Sequence, residues 1–178
     1  MKKKIFGIFV AALALAMFAI PVMGKTETPI HYYKWVENIE STEWRWVAPG
    51  RMGGESIIMM ITESIRTGSI YDGTDTLGVK LFTFTQNGFN MVNMKTGKQE
   101  WHFDVEWIST TVEGGFKGRL NGEGIGGPQF RVQGVLQGFG EFKGQKLTIE
   151  EIRDPVPPGK PSNYQTNGCQ ITGFRRIP

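Results

Sequence analysis

From Glu100 to Trp107 the sequence alternates without a slip: Glu100, His102, Asp104 and Glu106 fall on one parity, Trp101, Phe103, Val105 and Trp107 on the other. An extended chain points successive side chains to opposite faces, whereas a helix would scatter these eight residues around its circumference. The stretch is therefore a strand with one dry face and one polar face. Full burial of each large apolar side chain is worth roughly 1.5–3 kcal/mol, which turns that face inward and the acidic, imidazole-bearing row toward water.

The same period organises the rest of the chain. Trp44 and Trp46 oppose Glu43 and Arg45, and Pro49-Gly50 with Gly53-Gly54 are expected to end that strand in a turn. Residues 56–70 begin with the apolar run 57–61 and then alternate through Thr62, Glu63, Ser64, Ile65 and Arg66. Their Ile and Thr content predicts one long strand, buried on both faces at one end. A run of hairpins follows: a strand over 77–85, a turn at Asn87-Gly88, a return over 89–94, a turn at Thr96-Gly97, and the strand 99–110. Residues 25–38, with His31, Tyr32, Tyr33 and Trp35, read as a mixed entry arm. Beyond residue 24 nothing keeps a helical period, so the fold class is all-β.

Glycine spacing narrows the class further. Gly134, Gly138, Gly140 and Gly144 share a parity with Leu136 and Phe142, which leaves a column of missing side chains on one face of a strand pair. Glycines so placed mark bends, bulges or a close approach, and repeated bends let a sheet curl and close. A small antiparallel barrel is expected, with a β-sandwich as the alternative. The similar stretches Gly115-Phe116-Lys117-Gly118 and Glu141-Phe142-Lys143-Gly144 occur only twice and read as two similar strand bends, not a repeat array.

The run Gly134-Val135-Leu136-Gln137-Gly138-Phe139-Gly140-Glu141-Phe142-Lys143-Gly144-Gln145-Lys146-Leu147 resembles the G-x-G-x-F-x-x-x-G strand turn of allene oxide cyclase-like and dirigent-like β-barrels. It covers about a tenth of the chain. The resemblance implies an up-and-down barrel of about eight strands, calycin-like or allene oxide cyclase-like, with a lumen able to take an apolar small molecule. No catalytic position of those families maps onto this chain, so it implies fold and not activity.

Two segments flank that domain. Lys2, Lys3 and Lys4 precede an apolar run over 5–20, and Val22 and Gly24 are small enough for a signal-peptidase site. That order predicts a signal peptide over 1–24, or an uncleaved N-terminal membrane anchor. Either places residues 25–178, a single β-barrel domain, in an extracytoplasmic setting, secreted or at the cell surface. Toward the C-terminus, Pro155, Pro157, Pro158 and Pro161 make 154–162 an extended crossing that cannot join a central ladder. An Asn167-Gly168 turn and a last strand through Cys169, Ile171 and Phe174 are expected to close the barrel.

Charge and cysteine content remove some functions. The chain has 20 Lys and Arg against 17 Asp and Glu, and three of those lysines lie in the leader, leaving 17 against 17. A neutral domain offers no basic footprint for nucleic acid and little protection against self-association, so an oligomer is an open expectation. The single Cys169 cannot form an internal disulfide and reads as a small buried hydrophobe.

Chemistry has few candidates. Asp104 and Glu106 stand roughly 6.6–6.8 Å apart along a strand, a spacing that also suits an inverting glycosidase pair. Glu100, His102 and Asp104 could offer ligands to one divalent cation, but His31 is the only other imidazole. Gly122-Glu123-Gly124-Ile125-Gly126-Gly127 lacks the GK[ST] ending of a phosphate loop and reads as a flexible β-loop. The polar row is taken as solvated, with no metal, cofactor or catalytic residue assigned. Ligand-contacting candidates are the aromatics Trp101, Phe103, Trp107, Phe139 and Phe142. The expected role is non-enzymatic binding of an apolar small molecule or of another surface protein. A lumen-based cyclase or isomerase and a self-assembling surface protein are the alternatives.

Overall fold

The computed structural model describes residues 26–43, 45–52, 55–125, 131–155, 158–160 and 167–178. Residues 1–25, Trp44, Gly53-Gly54, 126–130, 156–157 and 161–166 lie outside the described residues, and with them the leader and most of the expected proline-rich crossing over 154–162. Among those described, every regular element is a strand: β1 (Thr26–Ser41), β2 (Arg45–Met52), β3 (Glu55–Asp72), β4 (Lys80–Asn93), β5 (Lys98–Ser109), β6 (Gly114–Ile125), β7 (Arg131–Gly140), β8 (Lys146–Arg153) and β9 (Gly168–Ile177). All pairings are antiparallel.

The strand order β1-β9-β8-β7-β6-β5-β4-β3 returns on itself, because β1 also pairs with β3. The result is a closed eight-stranded barrel with β2 as an extra strand. On β1, residues 26–35 pair with β9 and residues 32–41 with β3. This offset is the stagger that closing a sheet requires. β1 and β2 lie end to end along the same edge of β3, Ser41 opposite Ser64 and Arg45 opposite Ile61. Thr42 bridges the gap: its amide donates to the Glu63 carbonyl at 3.0 Å, and its own carbonyl accepts from Thr62 Oγ1 at 2.8 Å.

Several expectations are corrected. From Thr26 on, the expected mixed arm is regular strand, β1, which closes the barrel. Asn87-Gly88 is not a hairpin turn, since β4 runs unbroken through it, with Gly88 opposite Ser64 on one side and Phe103 on the other. Glycine is needed there for close approach: a Cβ at Gly88 would collide with the His102 carbonyl oxygen and stand 2.6 Å from Phe103 Cδ1. Likewise Pro49-Gly50 does not end its strand; it sits inside β2 at a register shift between Val47 and Gly50. The glycine column divides. Gly134 and Gly138 lie in β7, while Gly140 (φ +59°) and Gly144 (φ +89°) frame the β7–β8 turn in the left-handed conformation that glycine adopts without strain. Gly122 and Gly124 belong to β6 and not to a loop. The turn at Thr96-Gly97 and the strand over 99–110 are found where expected, the Gly97 amide donating to the Asn93 carbonyl at 2.7 Å.

The barrel interior is filled from all eight strands, with Ile30, Ile70, Phe84, Phe103, Leu120, Leu136, Leu147 and Ile171 all at or below 5% exposure. Above this layer, at one end, five rings meet. Phe82 lies 5.8 Å from Trp107, 5.9 Å from Phe116 and 6.0 Å from Phe142, and Tyr32 lies 6.4 Å from Trp107. Arg175 stands 5.4 Å over Phe142 and donates to Gln145 Oε1 at 2.7 Å. Burial at this aromatic end pushes the Tyr32 phenol up from its ordinary value.

Candidate functional site

The opposite end of the interior is charged. β1 runs inward with Ile30, Tyr32 and then Lys34; β4 with Phe82, Phe84 and then Gln86; β8 with Leu147, Ile149 and then Glu151. In each strand the inward parity is apolar until a polar residue takes the next place. Closure brings these three together. Lys34 Nζ donates to Gln86 Oε1 at 2.8 Å and makes an ion pair with Glu151 Oε2. All three side chains are at most 1% exposed. The ammonium also lies 5.3 Å over the Phe84 ring.

Two more cations border this floor. Arg66 of β3 is half-buried with its guanidinium 5.1 Å over the Phe103 ring, and Arg153 follows Glu151 by two residues on β8. Burial, reinforced by repulsion from Arg153, pulls Arg66 down to about 10. Cys169 completes the set. Burial pushes its thiol up, although Lys34, Arg153 and Arg66 favour the thiolate, so the sulfur is held protonated within a charged neighbourhood. The cysteine is buried as expected, but among charges and not as one more hydrophobe.

The cluster is incompletely satisfied. Gln86 Nε2 and Glu151 Oε1 are buried with no hydrogen-bond partner, a donor and an acceptor both held at the charged floor. The β8–β9 connection leaves and returns at this end: the Asp154 amide donates to the Gly168 carbonyl at 3.0 Å and the Val36 amide to the Asn167 carbonyl at 2.9 Å. Tyr33 Oη donates to Asp154 Oδ2 at 2.7 Å, and Gln170 Nε2 donates to Asp154 Oδ1 at 3.3 Å and to the Thr74 carbonyl at 3.0 Å. Asp154 and Asn167-Gly168, on either side of the proline-rich segment, are therefore held beside Arg153 and Cys169.

The residues singled out from sequence are not brought into one pocket. Trp101, Phe103 and Trp107 are core residues, at 6%, 1% and 0% exposure. Phe142 caps the aromatic end, 4.9 Å from Phe116. Phe139 belongs to the outer face, with the Lys117 ammonium 5.5 Å over its ring. The polar row divides as well. Glu100 and His102 line an open outer groove of about 530 Å³ with Asn121, Glu123, Arg131 and Glu150. There His102 Nδ1 lies 2.8 Å from Asn121 Oδ1, and its ring lies 5.0 Å from that of Phe89. Asp104 and Glu106 are exposed, with Asp104 Oδ1 accepting from Arg119 Nε at 3.0 Å.

Among the described residues, no group of three His, Cys, Asp or Glu side chains is placed to hold a metal ion. What the charged floor can do chemically is bind: it holds fixed charge, an open donor and an open acceptor in a region of low dielectric, where polar contacts are strong. No protein-family model matches this sequence, and no curated protein matches it either, so the site is read from its own geometry.

Proposed function

We propose that the protein is an exported, non-enzymatic binding barrel that takes a small polar molecule at the charged end of its interior. The observation that carries this reading is the Lys34–Gln86–Glu151 floor with its open donor and acceptor. A buried ion pair is a poor stabiliser, because desolvation of both charges offsets their attraction; apolar residues of similar volume do as well or better. A barrel selected for stability alone has no need of one, whereas a binding site does. The thiol of Cys169, the nucleophile nearest the floor, is held protonated and is correspondingly unreactive. The five packed rings at the other end favour the charged end over a purely apolar site among Trp101, Phe103, Trp107, Phe139 and Phe142.

Export rests on Lys2, Lys3, Lys4 and the apolar run that follows. Kinship with the allene oxide cyclase-like and dirigent-like barrels belongs to the same proposal, supported by the position of the 134–147 run at β7 and the β7–β8 turn of an eight-stranded barrel. The test is expression of the full chain in an extracytoplasmic host, N-terminal sequencing of the product, and native mass spectrometry without prior denaturation. A bound small molecule is expected on the wild type and not on the Lys34→Met/Glu151→Leu variant, with the leader removed or retained as an anchor. A ligand held equally by both proteins would move the site elsewhere.

A further inference from the structure

On the outer face of the barrel, strand pairing lines up one residue from each of six neighbouring strands. His31 of β1 stands opposite Thr172 of β9, Thr172 opposite Glu150 of β8, Glu150 opposite Gln133 of β7, Gln133 opposite Asn121 of β6, and Asn121 opposite His102 of β5. At a strand spacing of about 4.8 Å this row is roughly 24 Å long. Two adjoining hollows follow it: the groove of about 530 Å³ beside Glu100 and His102, and a second of about 900 Å³ that reaches Pro29, His31 and Phe174. They share Asn121, Arg131, Gln133 and Glu150. A ring stands near each end, Phe89 at 5.0 Å from the His102 ring and Phe174 at 53% exposure. The charges along the groove are paired. Arg131 Nε donates to Glu150 Oε1, Lys98 Nζ lies 2.6 Å from Glu123 Oε2 and 3.7 Å from Glu100 Oε1, and Glu100 Oε2 stands 3.9 Å from His102 Nε2. Gln133, Thr148 and Thr172 are exposed, and Asn121 meets His102 Nδ1 through its Oδ1, which leaves the Nδ2 protons for another acceptor.

We infer that this outer groove binds a neutral saccharide chain laid across the strands. Every sugar hydroxyl both donates and accepts, and the row offers amide, hydroxyl, imidazole and carboxylate groups one strand spacing apart, a mixture of donors and acceptors that suits it. A sugar ring also has an apolar C–H face, for which the rings of Phe89 and Phe174 supply flat apolar surface near the two ends. Other extended partners fit the groove less well. A nucleic acid or an acidic polymer is held by cations that pair with its phosphates or carboxylates, and here Glu100, Glu123 and Glu150 outnumber Lys98 and Arg131. An extended peptide docks by adding a strand to an open sheet edge, whereas the strands beneath this row are paired on both sides and present only side chains. The groove shares no residue with the Lys34–Gln86–Glu151 floor, so the inference stands apart from the binding proposed there.

The test is NMR titration of the full chain with cellohexaose, maltohexaose, mannohexaose and chitohexaose, and in parallel with an anionic hyaluronan hexasaccharide and an uncharged Gly-Ser octapeptide. Saturable binding of at least one neutral hexasaccharide is expected, with the Asn121 and Gln133 side-chain amides among the resonances that shift. It should be about tenfold tighter than binding of the matching disaccharide, since the row spans six strands. Asn121→Ala, Gln133→Ala and Phe174→Ala should each weaken it about three- to tenfold. All three side chains are exposed, so the variants keep the fold. Gln137→Ala, exposed on β7 outside the groove, should leave binding unchanged. A disaccharide that binds as tightly as its hexasaccharide overturns the extended site. Hyaluronan binding with the neutral chains inert overturns the charge argument, and binding of the peptide alone makes the groove a protein-docking surface and overturns the sugar. Saccharide binding that ignores the three groove substitutions overturns the location. No binding by any probe overturns the inference and leaves the reading of the charged floor standing.

Discussion

The two ends of the barrel are built from the same strands and solve opposite problems. At the aromatic end, Tyr32, Phe82, Trp107, Phe116 and Phe142 close the interior with rings at 4.9–6.4 Å, where contact area and edge-to-face geometry do the stabilising. At the other end, strands β1, β4 and β8 each place a polar residue where their inward pattern calls for another hydrophobe. The contrast teaches that position inside a barrel does not fix a residue's purpose. One end minimises exposed apolar surface; the other keeps charge out of water and leaves a donor and an acceptor open.

Substitutions separate the two ends most sharply. Glu151→Ala leaves Lys34 buried without its carboxylate and should cost about 3–5 kcal/mol in urea unfolding, much as removing a partner from any buried pair does. Trp107→Ala should cost about the same through loss of packing. The ends part company on repair. Lys34→Met/Glu151→Leu should be neutral or stabilising by about 1–4 kcal/mol, whereas no polar exchange will rescue the aromatic end. If the double variant is as unstable as Glu151→Ala, the charged end is structural and the comparison fails.

Between the ends, Gly88→Val forces a side chain against the His102 carbonyl and Phe103 and should cost about 1–3 kcal/mol by the same measurement. A pH series reaches the mooring of the charged end. Burial and the hydrogen bond to Asp154 hold the Tyr33 phenol above its ordinary value of 10.0. Below that pH both folded and unfolded chains keep the proton, and the contribution is fully present. Above it the unfolded chain ionises first, so stability falls as the pH rises. Tyr33→Phe should flatten that decline and cost about 1 kcal/mol at neutral pH. The smallest effect sharpens the contrast between inside and outside. Asp104→Asn breaks an ion pair in which both side chains are about 70% exposed and should change stability by less than about 0.5 kcal/mol, against the several expected at Glu151.

Much of the barrel could be read in advance, because strict alternation has one physical meaning. The parity of Trp101, Phe103, Val105 and Trp107 matches the core, and the polar row lies outside, Glu100 and His102 partly shielded in a groove. Asn87-Gly88 misled, since the residue that makes the best tight turn is also the one that lets two backbones touch. β1 was hidden because its irregularity near Val36 and its adjacent buried residues, Tyr33 outside and Lys34 inside, spoil the period. The charged floor did leave a trace: Lys34, Gln86 and Glu151 each interrupt an apolar parity. A polar residue at such a place looks like the end of a buried face, and only barrel closure shows that three such endings coincide.

That closure also orders the assembly of the molecule in time. Every neighbouring pair from β2 to β9 consists of strands consecutive along the chain, and each can form as its hairpin emerges. β1 can meet β3 early, but its other edge must wait: the pairing with β9 joins Thr26 to Ile177, nearly the full length of the domain. Contacts of such separation form slowly, and the strand edge they will cover stays open meanwhile. Until the last ten residues are in place, the row of unpaired amides on β1 is the point at which two unfinished copies can meet.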